Sequence, residues 1–183
     1  HHNQRPEGVA IDTIVIHSMF AEGSAEPTAI PACIALLNHH EVSAHYAIGR
    51  EGDIWALVPE ELRAWHARSR TAPRDRMPFL DDSREQVNDF SIGIEVVTSG
   101  HEGDFTTSQY DALIELIRGI RARHPITAIV GHEHIAPGRK TDPGPQFDWQ
   151  RIAAAVREWV SRDPTQSSHT PIRFSWEERV GKE

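Results

Sequence analysis

The segment from Gly131 to Pro145 concentrates the side chains most suited to chemistry. It reads GHEHIAPGRKTDPGP and carries His132, His134, Lys140 and Asp142. Its three prolines and three glycines predict a rigid, non-helical loop. Such a loop can hold imidazole and carboxylate groups in fixed directions, which suits a metal site.

His17 adds a distant imidazole to this set. It ends a predicted buried strand, Ile11–His17, in which β-branched residues dominate. Two imidazoles and one carboxylate, with a fourth position left for water, form a ligand set that zinc uses in catalytic sites. Ligands of open α/β sheets gather at the carboxyl ends of strands, where both His17 and His132 are expected. The residues therefore allow a zinc site.

His132 and His134 compete for the same role. Residues two apart on an extended segment point the same way, so both imidazoles would face one site. Both could bind a metal, or one could bind it while the other supports the first. The residues alone leave these alternatives open.

The elements that must position these residues follow from periodicity and capping signals. Strands are predicted at 11–17, 42–49, 53–58, 91–97 and 126–130, and helices at 28–40, from 106 and from 148. Thr106 and Gln109 predict a capping box, Asp148 an N-cap, and Gly52 the turn of a hairpin. Residues 62–88 are predicted to be a long loop. The element order predicts an α/β fold with a mixed central β-sheet flanked by helices.

Composition limits the class of protein. With 183 residues and 38% hydrophobic content, the chain fits one domain over 1–163 and a polar C-terminal tail over 164–183. A net charge of −8 without a basic cluster excludes nucleic acid as an expected partner. The single cysteine, Cys33, excludes an intrachain disulfide and a thiolate-rich metal site. The apolar runs are of strand length, so no membrane span is expected, and no signal-peptide pattern is visible.

Four segments of the chain resemble, in order, those of one enzyme family. They are VSAHYAI (42–48), RAWHA (63–67), NDFSIGIE (88–95) and GHEHIAPGRKTDPGPQFDW (131–149). These segments are similar to the type 2 N-acetylmuramoyl-L-alanine amidases, specifically the AmpD-like branch, over residues 9–160. The family also includes phage amidases and peptidoglycan recognition proteins. The resemblance implies the fold that AmpD-like amidases and peptidoglycan recognition proteins share.

The resemblance also implies a metal site. By position, it implies one zinc ion held by His17, His132 and Asp142. His134 then stands where the family usually has a small or acidic residue, and this departure is unexplained at the level of sequence.

Three further residues are implied as catalysts. Glu95, inside an otherwise apolar strand, stands at the position of a general base, and desolvation should raise its pKa. Lys140 stands at the position of a transition-state stabiliser, where its charge would meet a developing oxyanion. Tyr46 aligns with a tyrosine that is catalytic in the phage branch.

Substrate contacts are expected on either side of the long loop. Trp65 and His66 begin this loop and Asn88 ends it, so all three are candidates for contact with sugar or stem peptide. A core position is the alternative for Trp65. Four arginines could pair with stem-peptide carboxylates, and the sequence does not favour one over another: Arg68, Arg70, Arg74 and Arg139.

The implied reaction is zinc-dependent hydrolysis of the amide bond between L-alanine and the lactyl group of N-acetylmuramic acid or its 1,6-anhydro form. The expected partner is a muropeptide or peptidoglycan, and the chain is expected to act as a monomer. A cytoplasmic location is favoured, with a periplasmic or extracellular one as the alternative, because a leader could have preceded His1. The alternative function is a non-catalytic muropeptide-binding module. Such modules typically lose a zinc ligand, whereas all three positions are filled here.

Overall fold

The computed structural model describes residues 1–67, 76–77, 82–101, 104–162 and 173–174. Its strands are β1 (His2–Gln4), β2 (Thr13–Met19), β3 (Tyr46–Ile48), β4 (Ile54–Ala56), β5 (Leu62–Ala64), β6 (Arg76–Met77), β7 (Asp82–Glu85), β8 (Ser91–Val97), β9 (Ala128–Gly131) and β10 (Arg173–Phe174). Its helices are α1 (Ile30–His39), α2 (Thr107–Arg123), α3 (His132–Ile135) and α4 (Trp149–Arg162), and a short 3-10 helix spans Val87–Asp89.

A six-stranded mixed sheet forms the centre of the molecule. Its strand order is β10-β9-β2-β8-β3-β4. The pairs from β10 to β3 are parallel, and β4 joins β3 antiparallel through a hairpin. The predicted α/β fold with a mixed sheet flanked by helices is therefore confirmed.

The two faces of the sheet bury different sets of apolar side chains. On one face, Ile14, Ile16 and Ile94 pack against residues of α2 and α4 in the largest core cluster. On the other face, one cluster around Val15 and Val130 and another around Cys33, which lies in α1, cover the sheet. Side chains alternate along each strand, so the face that a residue occupies follows from its register.

Local signals define several element ends. Thr106 and Gln109 form both hydrogen bonds of the predicted capping box at the start of α2. The backbone N–H of Arg151 donates to Asp148 Oδ1 at 3.0 Å, as expected of an N-cap before α4. Gly52 has a φ of +87° in the turn between β3 and β4. These predictions depended on neighbouring residues alone, and the fold satisfies them.

Three expectations about the chain's course need correction. The segment after Gly131 begins with the helix α3 rather than continuing as a non-helical loop. The predicted strand 42–49 pairs only over Tyr46–Ile48 within the described residues. The predicted loop 62–88 contains β5, which pairs antiparallel with β1 at the N-terminus, and the strands β6 and β7. Arg68, Arg70 and Arg74 lie outside the described residues.

The boundary between domain and tail at residue 163 stays a prediction, because the structure describes only 173–174 beyond residue 162. In the described part of the chain, no helix combines the length and apolar character needed to cross a bilayer.

Candidate active site

Three side chains that could hold a metal ion converge at one end of the sheet. His17 lies on β2, His132 is the first residue of α3 directly after β9, and Asp142 follows on the loop towards α4. The Nδ1 atoms of His17 and His132 are 3.0 Å apart, and Asp142 Oδ2 lies 3.1 Å from each of them. The three donor atoms thus form a nearly equilateral triangle.

This triangle fits a zinc ion. Tetrahedral coordination with bonds of about 2.0–2.1 Å separates neighbouring ligand atoms by about 3.3 Å. The observed separations of 3.0–3.1 Å are close to that edge length. Two imidazoles and one carboxylate leave a fourth position open, which is the arrangement of catalytic rather than structural zinc sites.

The protonation states of His17 and Asp142 also suit a metal site. Burial, with the nearby His132, lowers the pKa of His17 to about 4, so its imidazole is neutral at pH 7. Burial acts to raise the pKa of Asp142, but the adjoining His132 and His17 imidazoles outweigh it and hold that pKa well below its usual range. Neutral imidazole and ionised carboxylate are the forms that bind metal.

Glu95 stands beside this triangle. It pairs with His17 in the parallel register of β2 and β8, and only 7% of its surface is exposed. Burial, reinforced by the charge of Asp142, raises its pKa to about 8. A carboxyl group in this range can both accept and return a proton near neutral pH.

A cavity of about 230 Å³ opens onto these residues. Its lining includes His17, His66, Glu95, His132, Lys140 and Asp142, and α1 contributes Leu36 and Leu37. A neighbouring cavity of about 220 Å³ is lined by Ser18, Thr98, Arg139 and Lys140, among others. Lys140 lines both cavities, as do Ser18, Arg139 and Asp142.

His134 points away from the metal triangle. Because α3 is helical, His132 and His134 do not face the same way, so the expectation drawn from an extended segment was wrong. His134 Nδ1 accepts a hydrogen bond of 2.8 Å from the backbone N–H of Gly131, and its ring lies 5.3 Å from that of Trp149. Its role in the structure is to cap α3.

Tyr46 lies on the wrong face of the sheet for catalysis. Register pairs Ala47 with Glu95, so Tyr46 projects from the opposite face, where it packs against the largest core cluster. Its hydroxyl donates to Glu60 Oε1 at 2.6 Å. The expectation that Tyr46 is catalytic is therefore corrected, because the sheet separates it from Glu95.

The expected substrate residues divide into two groups. His66 lines the larger cavity, whereas Trp65 and Asn88 are not among the described residues that do. Trp65 Nε1 donates to Asn3 Oδ1, and Asn88 Oδ1 accepts the backbone N–H groups of His66 and Ala67. Asn88 thus holds the segment that carries His66.

Sequence reasoning missed Ser91 as part of this site. Ser91, Gly93 and Glu95 alternate along β8 and share the face that carries His17. Ser91 is fully buried, and its Oγ lies 3.1 Å from His66 Nε2. The sequence signal was that Ser91 is a polar residue in an otherwise apolar strand, two positions before Gly93 and four positions before Glu95.

Comparison with known proteins identifies relatives of this chain. The family model described as N-acetylmuramoyl-L-alanine amidase matches residues 7–145. The 1,6-anhydro-N-acetylmuramyl-L-alanine amidase AmpD of Enterobacter cloacae is 35% identical over 172 residues, covering 85% of this chain and 86% of the relative. These matches extend across the elements that build the site.

Solved structures agree with this assignment. A selenomethionine derivative of AmpD superposes with a TM-score of 0.65 at 36% identity, covering 85% of this chain and 89% of that chain. The Escherichia coli amidase AmiD, in complex with anhydro-N-acetylmuramic acid-L-Ala-D-γ-Glu-L-Lys, superposes with a TM-score of 0.66 at 31% identity, covering 84% and 61%. From its family match, its relatives and its fold, this chain belongs to the N-acetylmuramoyl-L-alanine amidases.

Proposed function

We propose that this amidase is zinc-dependent and hydrolyses the bond between L-alanine and the lactyl group of N-acetylmuramic acid in peptidoglycan fragments. The observation that carries the proposal is the triangle of donor atoms from His17, His132 and Asp142 beside the buried Glu95. The set combines a metal site that has an open position with a carboxyl group suited to proton transfer.

The chemistry divides among the metal and two side chains. A zinc ion held by His17, His132 and Asp142 would supply a Lewis acid that polarises a carbonyl group and acidifies water. Glu95 takes the proton of the attacking water and returns it to the nitrogen of the leaving L-alanine. Its raised pKa suits both steps, because the group must be basic first and acidic afterwards.

Lys140 has a separate task. Its ammonium group borders the same cavity as Glu95 and Asp142. A positive charge there stabilises the oxyanion that forms as the carbonyl carbon becomes tetrahedral, and losing one such group typically costs about 10²- to 10³-fold in rate.

The relatives support an anhydromuropeptide as the substrate. The AmpD proteins are named as 1,6-anhydro-N-acetylmuramyl-L-alanine amidases, and the substrate in the AmiD complex carries an anhydro sugar and a short peptide. The two adjoining cavities offer room for a sugar and a peptide on either side of the scissile bond. Trp65 and Arg139 stay candidates for contact with such a ligand.

The test compares substrates and metal states of one preparation. Protein freed of metal by chelation and protein reloaded with zinc are each incubated with anhydro-N-acetylmuramyl tripeptide and with whole sacculi. Mass spectrometry is then used to follow release of the free peptide. We expect product only from the zinc-loaded protein, and faster from the anhydromuropeptide.

Two outcomes would overturn the proposal. Product from metal-free protein would remove zinc from the reaction. Tight binding of the muropeptide without cleavage by zinc-loaded protein would make the chain a binding module, although all three ligand positions are filled.

A further inference from the structure

The second ring nitrogen of His17, Nε2, contacts another buried histidine, His66. While Nδ1 faces Asp142, Nε2 lies 3.0 Å from Nδ1 of His66. The two rings meet edge to face, with centroids 5.2 Å apart and planes at 79°. His66 is buried with 7% of its surface exposed, so this contact is shielded from solvent.

A chain of hydrogen bonds continues from His66 to the backbone. His66 Nε2 lies 3.1 Å from Ser91 Oγ, and Ser91 Oγ lies 2.6 Å from the carbonyl oxygen of Val87. A carbonyl oxygen only accepts, so the Ser91 hydroxyl donates its single hydrogen to Val87. Ser91 Oγ must then accept from His66, which places a hydrogen on His66 Nε2.

This direction sets the state of His17. A neutral imidazole carries one N–H, so His66 Nδ1 presents a lone pair and accepts from His17 Nε2. His17 Nδ1 is then left without a hydrogen, and its lone pair faces Asp142 and His132. A cation between His17 Nδ1 and Asp142 Oδ2 would satisfy both of these acceptor atoms.

The position of His66 is itself fixed from two sides. Asn88 Oδ1 accepts the backbone N–H groups of His66 at 3.3 Å and of Ala67 at 2.9 Å. The ring lies over Gly93, where an added Cβ would stand 2.3 Å from His66 Cγ. Only glycine leaves space for the ring at this point of β8.

We propose that His66, supported by Ser91 and the Val87 carbonyl, is a positioning residue that fixes the tautomer and orientation of His17 for metal binding. This inference rests on the zinc dependence proposed above. It reassigns His66 from substrate contact to the support of a ligand. Partners that orient a metal-ligating histidine in this way typically contribute about 10- to 100-fold to metal affinity.

Zinc affinity of purified variants is the first test. We expect His66→Phe, which keeps a ring and loses both nitrogens, to raise the Kd for zinc by about 10- to 100-fold in competition with a chromophoric chelator. Ser91→Ala removes the next acceptor in the chain and should have a smaller effect of about 3- to 10-fold.

Thr13→Val is the matched control for Ser91→Ala. Thr13 is fully buried and pairs directly with Ser91 in the sheet, but its hydroxyl donates to Asp12. The Thr13→Val variant should leave the Kd for zinc unchanged within about twofold, well below the change expected when a residue that orients a metal ligand is lost. An equal effect of both variants, or an unchanged Kd in His66→Phe, would overturn the proposal.

The second test needs no variant and therefore does not depend on the variants' folding. Long-range ¹H–¹⁵N spectra of the histidine rings in zinc-loaded protein report which nitrogen carries hydrogen. We expect Nε2–H on both His17 and His66, with the metal on His17 Nδ1. Nδ1–H on His17 would contradict the inference.

The two proposals fail in different ways. If wild-type protein binds no zinc, both fall. If it binds zinc and cleaves muropeptide while His66→Phe binds zinc equally well, the function stands and only the positioning role falls.

Discussion

His17 and Glu95 stand directly opposite each other on the neighbouring parallel strands β2 and β8. Paired residues of adjacent strands project from the same face, so the ladder itself places a candidate metal ligand beside the carboxyl group that we propose as the general base. A shift of one residue in register would carry one of them to the other face. The geometry of the site therefore depends on the pairing of β2 with β8, whereas His132 and Asp142 come from α3 and the loop that follows it.

Asp142→Ala should abolish zinc binding and activity while leaving the fold intact. The variant removes the carboxylate from the three candidate ligands. Loss of a residue that only orients a ligand lowers metal affinity by up to about 100-fold, and we expect loss of the ligand itself to lower zinc affinity further. Metal analysis after gel filtration and circular dichroism measure the two effects. Asp111→Ala, which removes a carboxylate on α2 that pairs with Arg151, is the control. An active, zinc-loaded Asp142→Ala protein would contradict the ligand assignment.

Glu95→Gln should retain zinc and lose rate. The amide matches the carboxyl group in size but cannot accept and return a proton, so kcat should fall by about 10²- to 10⁴-fold. Turnover of anhydromuropeptide and zinc content are measured on the same sample. Wild-type turnover by this variant would require a different base.

Strand β8 shows how much local pattern could predict. Its bounds, Ser91–Val97, were predicted from an apolar run, and the capping box of α2 from Thr106 and Gln109. Both signals involve residues close in sequence, whose conformational preferences do not depend on contacts with distant parts of the chain. The assignment of His17, His132 and Asp142 as candidate ligands came from the family resemblance, because no local pattern joins His17 to residues so distant in the sequence.

The errors had two sources, a local detail of one segment and contacts between distant parts of the chain. The prolines of the segment after Gly131 begin only at Pro137, so residues His132–Ile135 can form a helical turn. The composition of the whole segment does not reveal this. The face occupied by Tyr46 depends on its pairing with Ile94 across two strands, which no spacing within either strand reveals. The support of His17 by His66 likewise joins residues from separate parts of the chain.

The metal-free protein should lose stability in mild acid. Burial lowers the pKa of both His17 and His45 to about 4. Between about pH 6.5 and pH 4 these two imidazoles bind protons in the unfolded chain but not in the folded chain, so the stability that they contribute falls as the pH falls. Glu95 acts in the opposite direction, because its raised pKa keeps a proton on the folded chain that the unfolded chain has lost. Each such imidazole contributes about 1.4 kcal/mol per pH unit at most.

Urea unfolding at a series of pH values measures this slope. His45→Phe should reduce the slope by one imidazole's contribution, whereas Val156→Ala, which leaves a cavity in the core, should lower stability without changing the slope. An unchanged slope in His45→Phe would show that His45 is not a source of the acid sensitivity.

Tyr46→Phe should affect stability but not catalysis. The Tyr46 hydroxyl donates to Glu60, which also accepts from Arg123, and its loss should cost about 1–2 kcal/mol. The value of kcat/KM should stay within about twofold of wild type, whereas Lys140→Ala should lose about 10²- to 10³-fold. A comparable loss in Tyr46→Phe with zinc retained would return this tyrosine to the reaction.

His134→Ala should weaken the fold around α3 and leave the metal stoichiometry at one zinc per chain. His134 Nδ1 accepts the N–H of Gly131, and without it that buried donor costs about 1–3 kcal/mol. The family resemblance implies a small or acidic residue at this position, and an acidic side chain there would accept the same N–H that the His134 imidazole accepts here. His134→Asn keeps an acceptor near the Nδ1 position and should recover most of the lost stability in urea unfolding. A fall in bound zinc without loss of stability would instead make His134 a metal ligand.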